Sequence, residues 1–411
     1  MKINYDICLI DDIGKVCMCK RILKNQTSST GDVPFYKIST FGSKADSFIS
    51  KDLFEEYKEK YSYPKKGDIL ISAAGTIGRT VIYDGKDSYY QDSNIVWVDN
   101  DESKVLNRYL YYFYQLKPWA KTNSSTIERL YNDNIRNIKI KYPISKKDQE
   151  RIIEPLVKID TIIDNNKKMI LKINSLLNDI YDYYYESKII KKELDGYVFD
   201  DKIKRYIPNG WSVMTIGECI EHINTGLNPR ANFKLNTGGN IKYITVKNLN
   251  LDGSIDFNNC DYIDNNAFKK VHSRSCVEDN DILFSSISPI GRCYYVLNKD
   301  ESWDINESVF SIRTNKKYMC SELLYLYLTS DYFIKSAENN STGSIFNGIR
   351  INTITDMYIV VPDKEAMNEI STLVHSILEF RNTMMTNINK YSNLREKILP
   401  LLINGKLKIE D

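Results

Sequence analysis

Three short stretches hold residue types that could do chemistry, and none completes a catalytic set. Asn228-Pro229-Arg230 approaches the Asn-Pro-Pro-aromatic run of adenine methyltransferases, but lacks the second proline and the aromatic. Pro362-Asp363 with Glu365 resembles a nuclease carboxylate spacing, yet it falls where a helix should begin, and a helix cap accounts for it better. Cys17 and Cys19 form a C-x-C pair, while Cys8, Cys219, Cys260, Cys276, Cys293 and Cys320 are scattered, so no zinc-binding spacing is complete. His222, His272 and His375 have no motif around them, and no glycine-rich phosphate loop of either common type is present. The expectation is a chain without catalysis, metal or cofactor of its own.

Composition restricts the remaining classes. Lys and Arg number 56 against 54 Asp and Glu, for a net charge of +2. A nucleic-acid partner therefore requires a local basic face balanced by acidic surface elsewhere. The N-terminus, MKINYDICLIDDIGK, has acidic residues where a signal peptide needs a long apolar run, and no stretch reaches the ~18 apolar residues of a membrane span. Scattered thiols suit a reducing compartment, and the expected location is cytoplasmic.

The elements that could position a binding face come in two copies. Lys65-Lys66-Gly67-Asp68-Ile69-Leu70-Ile71-Ser72 recurs as Glu278-Asp279-Asn280-Asp281-Ile282-Leu283-Phe284-Ser285, and Ile77-Gly78-Arg79 as Ile290-Gly291-Arg292, both 213 residues on. Ile13-Gly14 matches Ile216-Gly217, Tyr36-Lys37-Ile38 matches Tyr243-Ile244-Thr245, Tyr109-Leu110-Tyr111 matches Leu323-Leu324-Tyr325, and Tyr142-Pro143 matches Val361-Pro362. Strand-like runs are expected at Asp68–Ser72, Asn94–Val98, Ile138–Tyr142, Lys242–Val246, Ile282–Ser285, Val309–Arg313 and Met357–Val361, with helical runs at Asn107–Leu116 and Ser321–Ser330.

A heptad seam follows Pro143: Ile152, Leu156, Ile159, Ile163, Asn166, Ile170, Ile173, Leu177, Ile180 and Tyr184, in alternating steps of 4 and 3. Shifting each position by 218 gives Ile370, Val374, Ile377, Arg381, Met384, Ile388, Tyr391, Arg395, Ile398 and Leu402, with Phe380 and Leu394 expected to cover the two arginine slots. Ser145 can cap the first helix, and Pro155 should kink it or mark its true start. A helix of about 40 residues spans roughly 60 Å, more than a small domain needs, and suits a strut. Asn166 is either a surface slot or a register-setting core residue; Arg381 and Arg395 either point to a partner's acidic surface or snorkel. The tyrosines of Tyr181-Asp182-Tyr183-Tyr184-Tyr185 either stack on bases or cover an inter-helix or partner surface. The fold class is α/β in the broad sense (α+β): two pseudo-repeated domains and two long antiparallel coiled-coil helices.

Taken together, Lys-Gly-Asp-Ile-Leu-Ile-Ser from Lys66, Gly75-Thr76-Ile77-Gly78-Arg79 and Tyr142-Pro143-Ile144-Ser145-Lys146-Lys147-Asp148-Gln149-Glu150-Arg151 resemble the target recognition domain and following helix of type I restriction-modification specificity subunits. Ile207-Pro208-Asn209-Gly210-Trp211 resembles that family's domain start, and Leu401-Leu402-Ile403-Asn404-Gly405-Lys406-Leu407 its usual ending. The second copy departs in having Asn280 for Gly67 and Ser288-Pro289 for Gly75-Thr76, which puts the shape of its loop at issue. The resemblance implies recognition domains at 1–144 and 193–362, and spacer helices at 145–192 and 363–411. It implies a non-catalytic reader of a split, gapped duplex DNA target that docks two methyltransferase subunits and, through them, restriction subunits. S-adenosylmethionine, ATP and Mg would belong to those partners. A specificity subunit of another restriction class, with a fused endonuclease-methyltransferase partner, and a coiled-coil scaffold without DNA are the rival readings.

Residues shared by both copies should serve fold or phosphate grip, while differing ones should read bases. Shared Arg79 and Arg292 are either phosphate contacts or structural ion-pair members. Lys44, Lys121, Asn123, Ser124, Thr126 and Arg129 in the first domain are candidate DNA contacts, as are Arg230, Asn232, Lys234, Lys247, Asn248, Ser341, Thr342, Ser344, Asn347 and Arg350 in the second.

Overall fold

The computed structural model describes residues 3–121, 129–339 and 348–407. The chain divides into two compact units, Met1–Ile162 with Lys390–Asp411, and Ile163–Asn389.

The globular part of the first unit holds an antiparallel four-stranded sheet of β1 (Gly14–Met18), β2 (Ile69–Ser72), β3 (Thr80–Ile82) and β4 (Ile95–Asn100), in spatial order β1-β4-β2-β3. Every residue of β2 is buried, which is why its sequence is an unbroken apolar run rather than an alternation. A three-stranded sheet places Val33–Tyr36 between antiparallel Phe48–Ile49 and parallel Tyr89–Tyr90. A two-stranded ladder joins Tyr5–Leu9 to Lys139–Pro143.

The second unit repeats this plan. Strands β5 (Ile220–Thr225), β6 (Ile282–Ser285), β7 (Cys293–Tyr295) and β8 (Val309–Thr314) lie in the order β5-β8-β6-β7. Ile241–Ile244 lies between antiparallel Asp261–Ile263 and parallel Trp303–Ile305, and Ser212–Thr215 pairs with Tyr358–Val361. Helices Asn107–Gln115 and Ser321–Thr329 occupy equivalent places in the chain order. One sequence match is corrected by the ladders. Ile10 N–H donates to Ile138 O (2.9 Å) as Ile216 N–H donates to Met357 O (2.8 Å), so Ile10, not Ile13, is the counterpart of Ile216.

The long helices are α1 (Lys146–Tyr184) and α2 (Lys364–Ile403). In the first unit Ile152 and Leu156 share a core with Leu399, Leu402 and Ile403; in the second, Ile173, Leu177 and Ile180 share one with Ile370, Val374 and Leu378. Beginning packs against end in both, so the pair is antiparallel. The Ser145 hydroxyl accepts from Asp148 N–H at 3.4 Å, and Pro155 lies inside α1 without ending it, so the helix does not start there. Along α1, Ile152, Leu156, Ile159, Ile163, Ile170, Ile173, Leu177 and Ile180 are buried, and Asn166 and Tyr184 are half-buried.

Along α2 it slips. Ile370, Val374 and Leu402 are buried, but Ile377, Met384, Ile388, Tyr391 and Ile398 are half-buried, and Leu378, Met385 and Leu399 take the interior places. Two successive steps of 4, from Ile370 to Val374 and Leu378, break the 4-3 alternation once, and the buried positions Leu378, Arg381, Met385, Leu399 and Leu402 then follow a heptad of different phase. Phe380 and Leu394 do not cover the arginine slots: both are solvent-exposed, at 48% and 43%, and Arg381 itself is buried at 3%.

One interior difference separates the copies. Asp281 is fully buried, accepts from Glu278 N–H and the Ser311 hydroxyl, and pairs with Arg313 at 2.8 Å. Its counterpart Asp68 accepts from Lys65 N–H at 2.7 Å, but the strand position corresponding to Arg313 is Asp99. Burial, aided by the Asp99 charge and opposed by the Lys65 N–H bond, raises the Asp68 carboxyl above its ordinary range. A raised folded-state value means that the stability Asp68 contributes is fully present below its unfolded pKa and is lost as pH rises through the folded one. Asp68→Asn should therefore cost under ~1 kcal/mol at neutral pH and flatten the acid-side stability profile. Asp281→Asn, which takes the buried carboxylate from half-buried Arg313 and leaves it Glu278 at 2.9 Å, should cost about 1–3 kcal/mol. Urea unfolding between pH 4 and 7 measures both.

Candidate nucleic-acid interface

The turn after β2 and its counterpart after β6 carry the shared arginines and are wired alike. The Ser72 hydroxyl donates to Thr76 O (2.5 Å) and accepts from Arg79 N–H (2.8 Å); the Ser285 hydroxyl donates to Pro289 O (2.7 Å) and accepts from Arg292 N–H (2.8 Å). Gly78 N–H donates to Ser72 O, and Gly291 N–H to Ser285 O. The substitutions expected to reshape the second loop leave this wiring intact, and Asn280 adopts the same left-handed backbone (φ +69°) as Gly67 (φ +96°).

Each shared guanidinium then reaches across to a neighbouring loop: Arg79 Nη1 donates to Phe41 O (2.6 Å) and Arg292 Nη1 to Leu249 O (2.8 Å). The partner in both copies is a backbone carbonyl, rather than the carboxylate of an ion pair. Arg79 remains exposed and Arg292 half-buried. Around the first turn the structure gathers exposed Lys44 in the loop that Arg79 holds, and Arg129, which bridges Ala74 and donates to Ser93 O. Lys121 ends the short helix Pro118–Lys121, whose Trp119 backs onto Gly78. Around the second turn it gathers exposed Lys247 and exposed Arg350, which follows the Ile287–Gly348 bridge.

Asn248 leaves the set of base readers. It is 3% exposed, and its amide is committed to Thr245 N–H, Asp256 O and Asn259 O. Arg230, Asn232 and Lys234 are exposed on a separate loop, anchored by Asn228 to Glu307 and by Leu227 O to the Tyr243 hydroxyl. Asn123, Ser124, Thr126, Ser341, Thr342, Ser344 and Asn347 lie outside the described residues. Tyr181 and Tyr185 cannot stack on bases: they are buried at 5% and 1%, and the Tyr185 hydroxyl bonds both N–H and O of Val360. Gln149, unassigned from sequence although inside the family-like run, is fully buried and ties α1 to Lys104 O, Pro143 O and Leu106 N–H.

Two structurally equivalent turns, each presenting arginine and lysine beside loops of unlike sequence, form the geometry of a duplicated reader. The model of the type I restriction modification DNA specificity domain matches residues 3–175 and 208–391, one match per copy. The chain belongs to this family. It is 57% identical over 177 residues to a Haemophilus influenzae protein described as a type I restriction enzyme specificity subunit, a match spanning 43% of this chain and 46% of that one. It is 23% identical to the Methanocaldococcus jannaschii type I restriction enzyme MjaIX specificity subunit, across 99% of this chain and 94% of the relative. The crystal structure of the type I restriction-modification S subunit from M. genitalium shares the fold, with a TM-score of 0.58 at 14% identity over 98% of this chain and 96% of that one. Among the described residues, no helix is long and apolar enough to cross a membrane.

The turns differ in what backs them. A Cβ at Gly78 (φ +78°) would lie 2.1 Å from the Trp119 ring, whereas one at Gly291 (φ +85°) would lie 3.2 Å from Cγ1 of Ile334. Gly78→Ala should therefore destabilise by about 3 kcal/mol and Gly291→Ala by about 1–2 kcal/mol, as compared by thermal unfolding.

Proposed function

We propose that the chain is the DNA-reading, non-catalytic subunit of a type I restriction-modification enzyme, with residues 1–144 and 193–362 each reading one half of a gapped duplex target. Residues 145–192 and 363–411 act as the spacer helices. The observation that carries this reading is the repetition, in the two domains, of the four-stranded sheet, the three-stranded sheet and the two-stranded ladder around identically wired turns, set among loops that differ. Shared wiring presents the backbone-gripping arginine, and unlike loops discriminate bases. A rigid helical pair holds two such readers in register where a flexible linker would not.

In this reading two methyltransferase subunits dock on the chain in the cytoplasm and bring S-adenosylmethionine and the adenine-methylating site. Restriction subunits add ATP- and Mg-dependent cleavage. This chain's own residues bind, orient and select.

Deleting the gene should abolish N6-methyladenine in one gapped motif, detected by single-molecule sequencing of genomic DNA. Exchanging residues 193–362 for those of a relative should change one half of that motif only. Unchanged methylation after deletion favours a scaffold without DNA, and a change in both halves rules out independent reading.

A further inference from the structure

The two seam arginines belong to polar clusters of one design, one in each compact unit. In the first, Asp160 of α1 accepts from Arg395 of α2 (2.5 Å) and from the Tyr112 hydroxyl (2.8 Å), and the Arg395 guanidinium lies 5.8 Å from the centre of the Tyr112 ring. In the second, Arg381 of α2 donates through Nη1 to Asn174 Oδ1 of α1 (3.0 Å) and to the Tyr325 hydroxyl (2.8 Å), with its guanidinium 5.2 Å from the Tyr325 ring. Each cluster joins α1, α2 and the tyrosine-bearing helix of one globular domain. Asn174 continues to Asp252 O at 2.9 Å, which draws in the loop beside the carbonyl of Leu249 that holds Arg292. Asp160 and Asn174 stand two heptads apart on α1, and Arg381 and Arg395 stand two heptads apart on α2 in the opposite order, as an antiparallel register requires.

Apolar contact attracts without direction, whereas hydrogen bonds and ring stacking fix angles. A guanidinium taken out of water is costly unless its partners are in place. Tilting either domain helix on its rods breaks the tyrosine's bond to its cluster: Asp160 loses the Tyr112 hydroxyl donor in the first unit, and buried Arg381 loses the Tyr325 acceptor in the second. Base recognition tolerates misplacement of only about 0.5 Å, so such a tilt would degrade reading.

We infer that Arg395 and Arg381 are positioning residues, each seating one recognition domain on the helix pair, and that Arg395, near the C-terminus, serves the first domain. The inference rests on the DNA-reading function proposed above.

The test uses the full chain with its methyltransferase partner and the variants R395M, R381M and R395K. Domain exchange first assigns each half of the motif to its domain. R395M should then raise methylation at sites mismatched in the first domain's half about tenfold, leaving the other half unchanged, and R381M should do the converse. R395K, which keeps a cation beside Asp160, should restore much of the discrimination. Amide hydrogen exchange on the chain alone supplies a readout independent of DNA: R395M should accelerate exchange in residues 107–115 and not in 321–329, and R381M the reverse. Relaxation of the same half by both variants, or equal acceleration in both helices, overturns the inference. Localised exchange with no chain-dependent methylation in the wild type leaves the seating intact and sinks the DNA-reading function instead. Should R395M not fold, Tyr112→Phe removes the hydroxyl alone and must give the same localised pattern.

Discussion

In each globular domain one hydrophobic core runs without a break into the long helices, beside others that close within the domain. In the first unit, Tyr109, Leu110 and Ile140 share one buried cluster with Ile152 and Leu156 of α1 and with Leu399, Leu402 and Ile403 of α2. In the second, Leu323, Leu324 and Ile359 do so with Ile173 and Leu177 of α1 and Val374 and Leu378 of α2. Freeing a domain from the rods would expose several side chains, at ~1.5–3 kcal/mol each. The helices are therefore part of the wall of each globular domain, and the polar clusters act on surfaces already held together by burial.

Duplication lets the same physics be read twice. The strand order, the serine-held turn and the arginine-to-carbonyl bond recur with scarcely any shared sequence between the halves beyond the residues that make them. Where the copies diverge, the interior compensates locally. A buried aspartate faces an arginine in one copy, and in the other faces a second carboxylate, for which Lys65 provides a counter-ion at 2.9 Å from Asp99.

Much of this was legible in the residues, for identifiable reasons. Fully buried strands such as Ile69–Ser72 and Ile282–Ser285 announce themselves as apolar runs, and the strict 4-3 steps of α1 locate its inner face without ambiguity. On α2 the 4-3 alternation carried over from α1 does not hold between Val374 and Leu378, so every second interior position shifts by one residue, to Leu378, Met385 and Leu399. The short strand Thr80–Ile82 and the central strand Val33–Tyr36 lack periodicity and depend on tertiary pairing. The fate of Asn248 could not be read locally, since its amide is claimed by carbonyls eight and eleven residues away. The α1 partners of Arg381 and Arg395 lie more than 200 residues off, although an antiparallel register applied to the heptad numbers indicates Asn174 and Asp160.

The discontinuity of the first unit bears on the order of synthesis. Residues 1–162 emerge from the ribosome first, but the turns of α2 that seal their core, around Leu399 to Ile403, are translated only after the whole of the second unit. At about 5–20 residues per second, the earlier segment waits on the order of 10–50 seconds with an apolar flank open to water. The second unit has every one of its parts by residue 389 and can complete itself first. The half made first is thus the half finished last, and the nascent chain's need for chaperone cover falls on its N-terminal portion.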